Sequence, residues 1–239
     1  MRKPAVSAKA LRAELRKLAD PAIAEQATRY FQVYPGGYGE GDRFLGIRVP
    51  RLRELARRHR DLPQRALLSL LRSRFHEERL LALFILTLRY ARGDAQERDA
   101  IYRCYLENTE YIDKWDLVDA SAPRIVGAHL MTGDRGVLRR LARSENLWER
   151  RIAMISTFAF IKAGEVDETY RIAELLVDDE HDLIHKAVGW MLREAGKRDP
   201  RGEREFLNRH LRHMPRTMLR YAIEKFPERE RKQYLAVVR

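Results

Sequence analysis

The 239-residue chain has one cysteine, three tryptophans and no long uncharged apolar run. The lone thiol, Cys104, excludes an internal disulfide and any multi-cysteine metal site, which fits a reducing compartment. No window approaches the roughly 18 apolar residues of a membrane span. The opening Met1, Arg2, Lys3, Pro4 leads into a charged helical pattern instead of an apolar secretory core. The expectation is a cytoplasmic protein without a membrane segment. The seven histidines are scattered: His181 and His185 share a helix face but lack a third ligand, and nothing resembles H-E-x-x-H. No metal and no cofactor are expected. The loop at 36–41 has neither the Gly-Lys-Ser/Thr of a phosphate-binding loop nor the G-x-G-x-x-G spacing. No G-x-S-x-G nucleophile elbow occurs, and Cys104 in the apolar run IYRCYL reads as a buried, inert thiol.

What the chain does have is apolar content and basic charge. Hydrophobic residues make up 45% of it, enough for a core and too much for wholesale disorder. Lys and Arg number 47 against 35 Asp and Glu, a net charge of +12. Only nine of those cations are Lys, and guanidinium forks match phosphate oxygens better than point charges do. Eleven Arg lie between Arg43 and Arg79 against four acids, and six lie between Arg201 and Arg220 against two. A polyanionic partner is the first expectation, although solvated helix faces also collect arginine.

Helical periodicity dominates the chain, and strand signals are nearly absent. Apolar residues recur at three- and four-residue steps over 79–92, 147–163, 166–177 and 183–197, with Gly, Asp and Pro punctuation between. The run Tyr34–Gly46 carries five of the 13 glycines and separates an N-terminal helical piece from the rest; its loop at 36–41 is read as either a ligand-contacting loop or an ordinary surface connection. No linker is long enough for a domain boundary, so residues 1–239 are read as one domain. Small residues after a charged one recur at Ala82, Ala120, Ala153, Ala187 and Ala222, separated by 38, 33, 34 and 35 residues. That period, with two helices per unit, predicts an all-α HEAT-like helical-repeat solenoid whose concave basic groove could hold a duplex.

One set of residues follows the repeat and could carry chemistry. Trp115 and Asp119 are four apart in KWDLVDASAPRIVG, which puts an indole beside a carboxylate on one helix face. Arg150 and Arg151 follow one repeat later, and Lys186, Trp190 and Arg193 another repeat on. The pattern itself leaves two readings open. Either these residues line an aromatic, Arg-rimmed cleft with one acid in it, or the tryptophans are inter-repeat core and Asp119 is a surface charge or cap. Trp148 is assigned to the core.

The runs W-D-x-V-D-x-x-x-P, L-W-x-R-R-x-A and K-A-x-G-W-x-L-R-E, with F-L-G-I-R-x-P ahead of them, resemble the AlkD-type DNA alkylation repair proteins in the same order, over roughly Ala27 to Phe226. The resemblance implies a HEAT-like fold and a monofunctional DNA glycosylase, acting without metal on purines alkylated at a ring nitrogen in double-stranded DNA. It implies that Asp119 is the catalytic aspartate, Trp115 and Trp190 the cleft tryptophans, Arg151 the cleft arginine, and Tyr30 an N-terminal cleft tyrosine. Lys114, Arg150, Lys186 and Arg193 beside these motifs, with Arg48 and Arg51 of the arginine-rich stretch, are the expected DNA contacts. Lys114 stands where catalytic members often carry a second Trp, which leaves less aromatic wall. A soluble monomer is expected. The rival class is a non-catalytic HEAT-like module that binds branched, bent or damaged DNA without releasing a base.

Overall fold

A computed structural model describes residues 7–237, and among these the architecture is all-helical, consistent with a helical repeat fold. A single isolated parallel bridge, Arg43 to Phe75, is the extent of β pairing there. The chain divides into two compact units, 1–121 and 122–239.

The first unit contains α1 (Ala8–Lys17), α2 (Pro21–Tyr30), α3 (Val49–Arg58), α4 (Gln64–Leu71), α5 (His76–Arg92), α6 (Ala95–Leu106) and α7 (Trp115–Ser121). Helix starts follow the capping chemistry of the sequence. Ser7 and Asp94 cap α1 and α6, and Asp20 caps α2 with Pro21 next to it. The centre of the unit is α5, which packs against α3, α4, α6 and α7. Its run Leu80 to Leu86 is buried on every side, the signature of a core helix. Its first turn is polar yet also buried: His76, Glu77, Glu78 and Arg79 all lie inside. Such groups stay inside only with partners. Glu78 meets Arg12 at 2.8 Å and Arg16 at 3.5 Å, which ties α1 onto α5. Glu77 accepts the backbone N–H groups of Leu45, Gly46 and Ile47 at 2.8, 2.7 and 3.2 Å.

The second unit contains α8 (Gly136–Ala142), α9 (Leu147–Ser156), α10 (Phe158–Ala163), α11 (Asp167–Leu176), α12 (Asp182–Gly196), α13 (Pro200–His210), α14 (Arg216–Ala222) and α15 (Glu228–Val237). Helix α12 is its hub, packed on α9, α11, α13 and α14. It approaches α14 so closely that a Cβ added to Gly189 would lie 2.3 Å from the Met218 carbonyl oxygen. The apolar run 147–163, expected as one helix, is two. Thr157 separates them: its amide bonds the Met154 carbonyl and its hydroxyl donates to the same oxygen at 2.7 Å, which tightens the turn and ends α9.

Most of the alanines that mark the expected period are buried. Ala82, Ala153, Ala187 and Ala222 are fully buried, at the centres of α5, α9, α12 and the end of α14, whereas Ala120 on α7 is only partly covered. Cys104 is buried on α6, and burial pushes its thiol pKa up, as an inert core thiol requires.

Candidate functional site

In the first unit the candidate residues gather where α2 ends and α7 begins. After Tyr30 the chain turns sharply: Gln32 adopts φ 55°. The glycine-rich segment then folds back onto that turn. A Cβ on Gly37 would lie 2.0 Å from the Gln32 carbonyl oxygen, and one on Gly39 would lie 2.1 Å from that of Phe31. Only glycine allows this approach. The Tyr38 hydroxyl donates to the Tyr30 carbonyl at 3.2 Å. The segment is thus packed against the residues it follows.

This turn presents Tyr30 and Phe31 to α7. The Phe31 ring stacks on the Trp115 indole at 5.5 Å and 13°, and Tyr30 meets the indole edge-on at 5.9 Å. Phe44 continues the column on Phe31 at 5.0 Å. Tyr30 is 67% exposed and Trp115 half-buried, so the column ends at the surface. Asp119 stands one turn beyond Trp115 on α7 and is half-buried. Tyr105 lies buried near α7 and shares a 2.9 Å hydrogen bond with Ser121; burial, and secondarily the charge of Asp119, raises its phenol pKa.

Behind the column lies a cluster that sequence reasoning missed. His76 is 3% exposed. Its Nδ1 faces Asp42 at 3.2 Å and its Nε2 faces Asp116, the residue after Trp115, at 2.8 Å. Arg79 donates to both Asp42 oxygens at 3.1 and 3.0 Å and pairs with Asp113 at 3.1 Å. Lys114 Nζ lies 2.9 Å from Asp113 and 4.0 Å from Asp42. Burial alone would discharge His76, but hydrogen bonds to Asp116 and Asp42 prevail and raise its pKa to about 9. Burial would likewise raise Asp42, yet its bonds to His76 and Arg79 hold it below the usual carboxylate range. The signal for this cluster was the polar run HEER opening an otherwise apolar helix.

The other expected residues are placed as follows. Lys114, expected at a DNA phosphate, is 3% exposed and turned into this cluster. Arg48 is exposed at the start of α3, and Arg51 is exposed with Glu54 as its partner. In the second unit Trp190 on α12 is half-buried, its ring 6.0 Å from Phe158. Arg151 is 5% exposed and donates to the Leu183 carbonyl at 2.6 Å, at the start of α12. Arg150 binds Asp179 at 2.6 Å and the carbonyls of Ser144 and Glu145. Lys186 pairs with Asp182 at 2.6 Å, and Arg193 pairs with Glu194 at 3.3 Å and with Glu224. His181 caps α12 by accepting from the Leu183 amide, and His185 bonds the Asp179 carbonyl. Trp148 is half-buried near the start of α9.

With this arrangement in place, the relatives decide the family. The profile of the DNA alkylation repair enzymes matches residues 11–226. The chain belongs to the DNA alkylation repair enzyme family. The fold agrees: a solved structure described as a predicted DNA alkylation repair enzyme from Enterococcus faecalis is similar, with TM-score 0.66 and 19% identity, over 88% of this chain and 97% of that one. No curated protein matches. Family membership makes DNA repair the frame in which the aromatic column, Asp119 and the basic surplus are read. Among the described residues no helix of this family member is long and apolar enough to cross a membrane.

Proposed function

We propose that this member of the family is a monofunctional DNA glycosylase. It would hydrolyse the N-glycosidic bond of purines alkylated on a ring nitrogen in double-stranded DNA, with water as nucleophile and no metal cofactor. The observation that supports this most directly is the α7 pair: a half-exposed Trp115, walled by Phe31 and Tyr30, with the carboxylate of Asp119 one turn away.

Alkylation makes the purine cationic and weakens its bond to the sugar. Departure of the base leaves positive charge on the sugar, an oxocarbenium-like state comparable to that of glycoside hydrolysis. Asp119 is assigned to stabilise that charge and to orient the attacking water. Indole faces attract the cationic base and sugar, by ~0.5–2 kcal/mol each depending on desolvation. Trp115 is assigned this part in the first unit, and Trp190 in the second by the motif resemblance. Arg151, Arg150, Lys186 and Arg193, with Arg48, Arg51 and Tyr30, are assigned to holding the nucleotide and its backbone. Lys114 acts, on this reading, from inside the His76 cluster and not on a phosphate.

The deciding experiment is release of free methylpurine from methylated duplex DNA. Wild-type protein is expected to release the base, and Asp119→Asn to lose at least ~100-fold in rate. Binding of damaged or branched DNA with no release at any protein concentration would establish the non-catalytic module instead. Equal release by Asp119→Asn would remove that residue from the mechanism.

A further inference from the structure

The cluster behind the aromatic column has a feature that its polar contacts alone do not require. His76 touches both the backbone of the site and its rings. Phe31 and Phe44 lie 4.8 Å from the imidazole, Phe44 nearly parallel to it, and Phe31 carries Trp115 on its other contact. Through Asp116, the same imidazole holds the residue next to Trp115. The second oxygen of Asp116, Oδ1, is buried with no hydrogen-bond partner among the described residues, so His76 is what fixes this carboxylate. One side chain therefore grips Trp115 twice, once through the chain and once through the ring stack.

The charges face His76 from three places. Asp42 comes from the glycine-rich segment, Arg79 and Glu77 from α5 itself, and Asp113, Lys114 and Asp116 from the entry to α7; Glu77 is turned to the amides of 45–47. Leaving Glu77 aside, three carboxylates oppose Arg79 and Lys114, and the set is neutral only when His76 carries its proton. Loss of that proton leaves a buried negative charge beside the indole, which such a site tolerates poorly.

We propose that His76 is a positioning residue of the repair reaction: its imidazolium, clamped between Asp42 and Asp116 and against Phe31 and Phe44, fixes the indole of Trp115 in the orientation that faces the damaged nucleotide. The proposal rests on the glycosylase reading for its kinetic part and on geometry for the rest. It makes an alkaline limb of activity arise from the wall of the site, apart from any change at Asp119.

The test uses full-length protein labelled with 5-fluorotryptophan, whose three resonances are assigned by Trp115→Phe, Trp148→Phe and Trp190→Phe. A Tyr30→Phe background removes the phenol that abuts the indole. The Trp115 resonance is expected to move in one step with a midpoint near pH 9, while those of Trp148 and Trp190 stay in place through that step. His76→Gln should abolish the step. Asp116→Ala keeps the histidine and removes the acceptor by which it holds α7; it should displace the Trp115 resonance at neutral pH, and it serves if His76→Gln does not fold. In an otherwise unaltered chain both variants are expected to lower kcat for alkylpurine release about tenfold, with affinity for duplex DNA within about twofold of wild type, as a misplaced wall would. A Trp115 resonance that does not titrate, or that titrates equally in His76→Gln, overturns the proposal. So does wild-type kcat in both variants. If the wild-type protein releases no base, the glycosylase reading fails, and the fluorine titration still decides whether His76 holds Trp115.

Discussion

Glu77 accepts the backbone N–H of Gly46 at 2.7 Å, and the neighbouring amides of Leu45 and Ile47 complete a three-bond cradle around one buried carboxylate. A single side chain on α5 thereby organises the segment between the glycine-rich turn and α3. Glu77→Ala would leave three amides without this acceptor, each worth ~1–3 kcal/mol when stranded. The expected loss is at least ~3 kcal/mol in urea denaturation, and Glu77→Gln, which keeps one acceptor oxygen, should cost less. Equal midpoints for wild type and Glu77→Ala would show that the cradle is not a stabilising feature.

His76 predicts a dependence of stability on pH. Its folded-state pKa is about 9 against an ordinary value of 6.5, so the folded protein holds a proton that the unfolded chain has released between those values. The stabilisation is complete below about pH 6.5 and is lost as pH climbs through about 9. His76→Gln should remove this slope and cost roughly 3 kcal/mol at pH 6. Chemical denaturation of both proteins from pH 6 to 10 checks the sign, because the two stabilities should converge at the alkaline end.

Glu203 predicts a slope with a lower onset. Burial raises its pKa to about 8 from 4.5, only partly relieved by Arg204, and its Oε1 has no hydrogen-bond partner among the described residues. The folded state keeps a proton that the unfolded chain loses, so stability falls as pH rises from about 4.5 to about 8. Glu203→Gln should be more stable than wild type by at least ~1 kcal/mol at pH 8. His181 and His210, whose pKa values burial lowers, also titrate between pH 5 and 6.5, so the difference between wild-type and Glu203→Gln melts across that window is what isolates Glu203. A wild-type slope that survives in Glu203→Gln would assign it to another group.

Gly189 tests the hub of the second unit. A methyl group there would meet the Met218 carbonyl oxygen at 2.3 Å and Tyr221 Cβ at 2.5 Å, a conflict of helix against helix and not of flexible side-chain tips. Gly189→Ala should cost ~2 kcal/mol or more despite the better helix propensity of alanine. A neutral or raised melting temperature would show that α12 and α14 separate easily.

The helices were legible because burial imposes a period on apolar residues, and four of the five alanines at the expected spacing are fully buried. Trp115 and Asp119 were legible because four residues make one helical turn. The break at Thr157 was not, since it depends on one hydroxyl choosing a carbonyl over solvent. Nor was the His76 cluster, in which Asp42 lies 34 residues before His76 and Asp116 lies 40 after it, so that only folding joins them to His76 and Arg79. The direction a cation takes was not legible from its place beside a motif. Lys114 is buried against Asp113 in the His76 cluster, and Arg151 is 5% exposed with its guanidinium on the Leu183 carbonyl.

The cradle of Glu77 also bears on the order of folding. Its bonds span 30 to 32 residues, and the Arg12–Glu78 pair that anchors α1 spans 66. Contacts of such separation form after local helices, because loop closure must come first. The 42–47 segment should therefore lock late in folding and open early in native-state hydrogen exchange, before the interior of α5. Trp115 would lose the support of Phe44 and Asp42 while the core helix was still intact, so recognition of a damaged base would fail at a lower temperature than the fold itself.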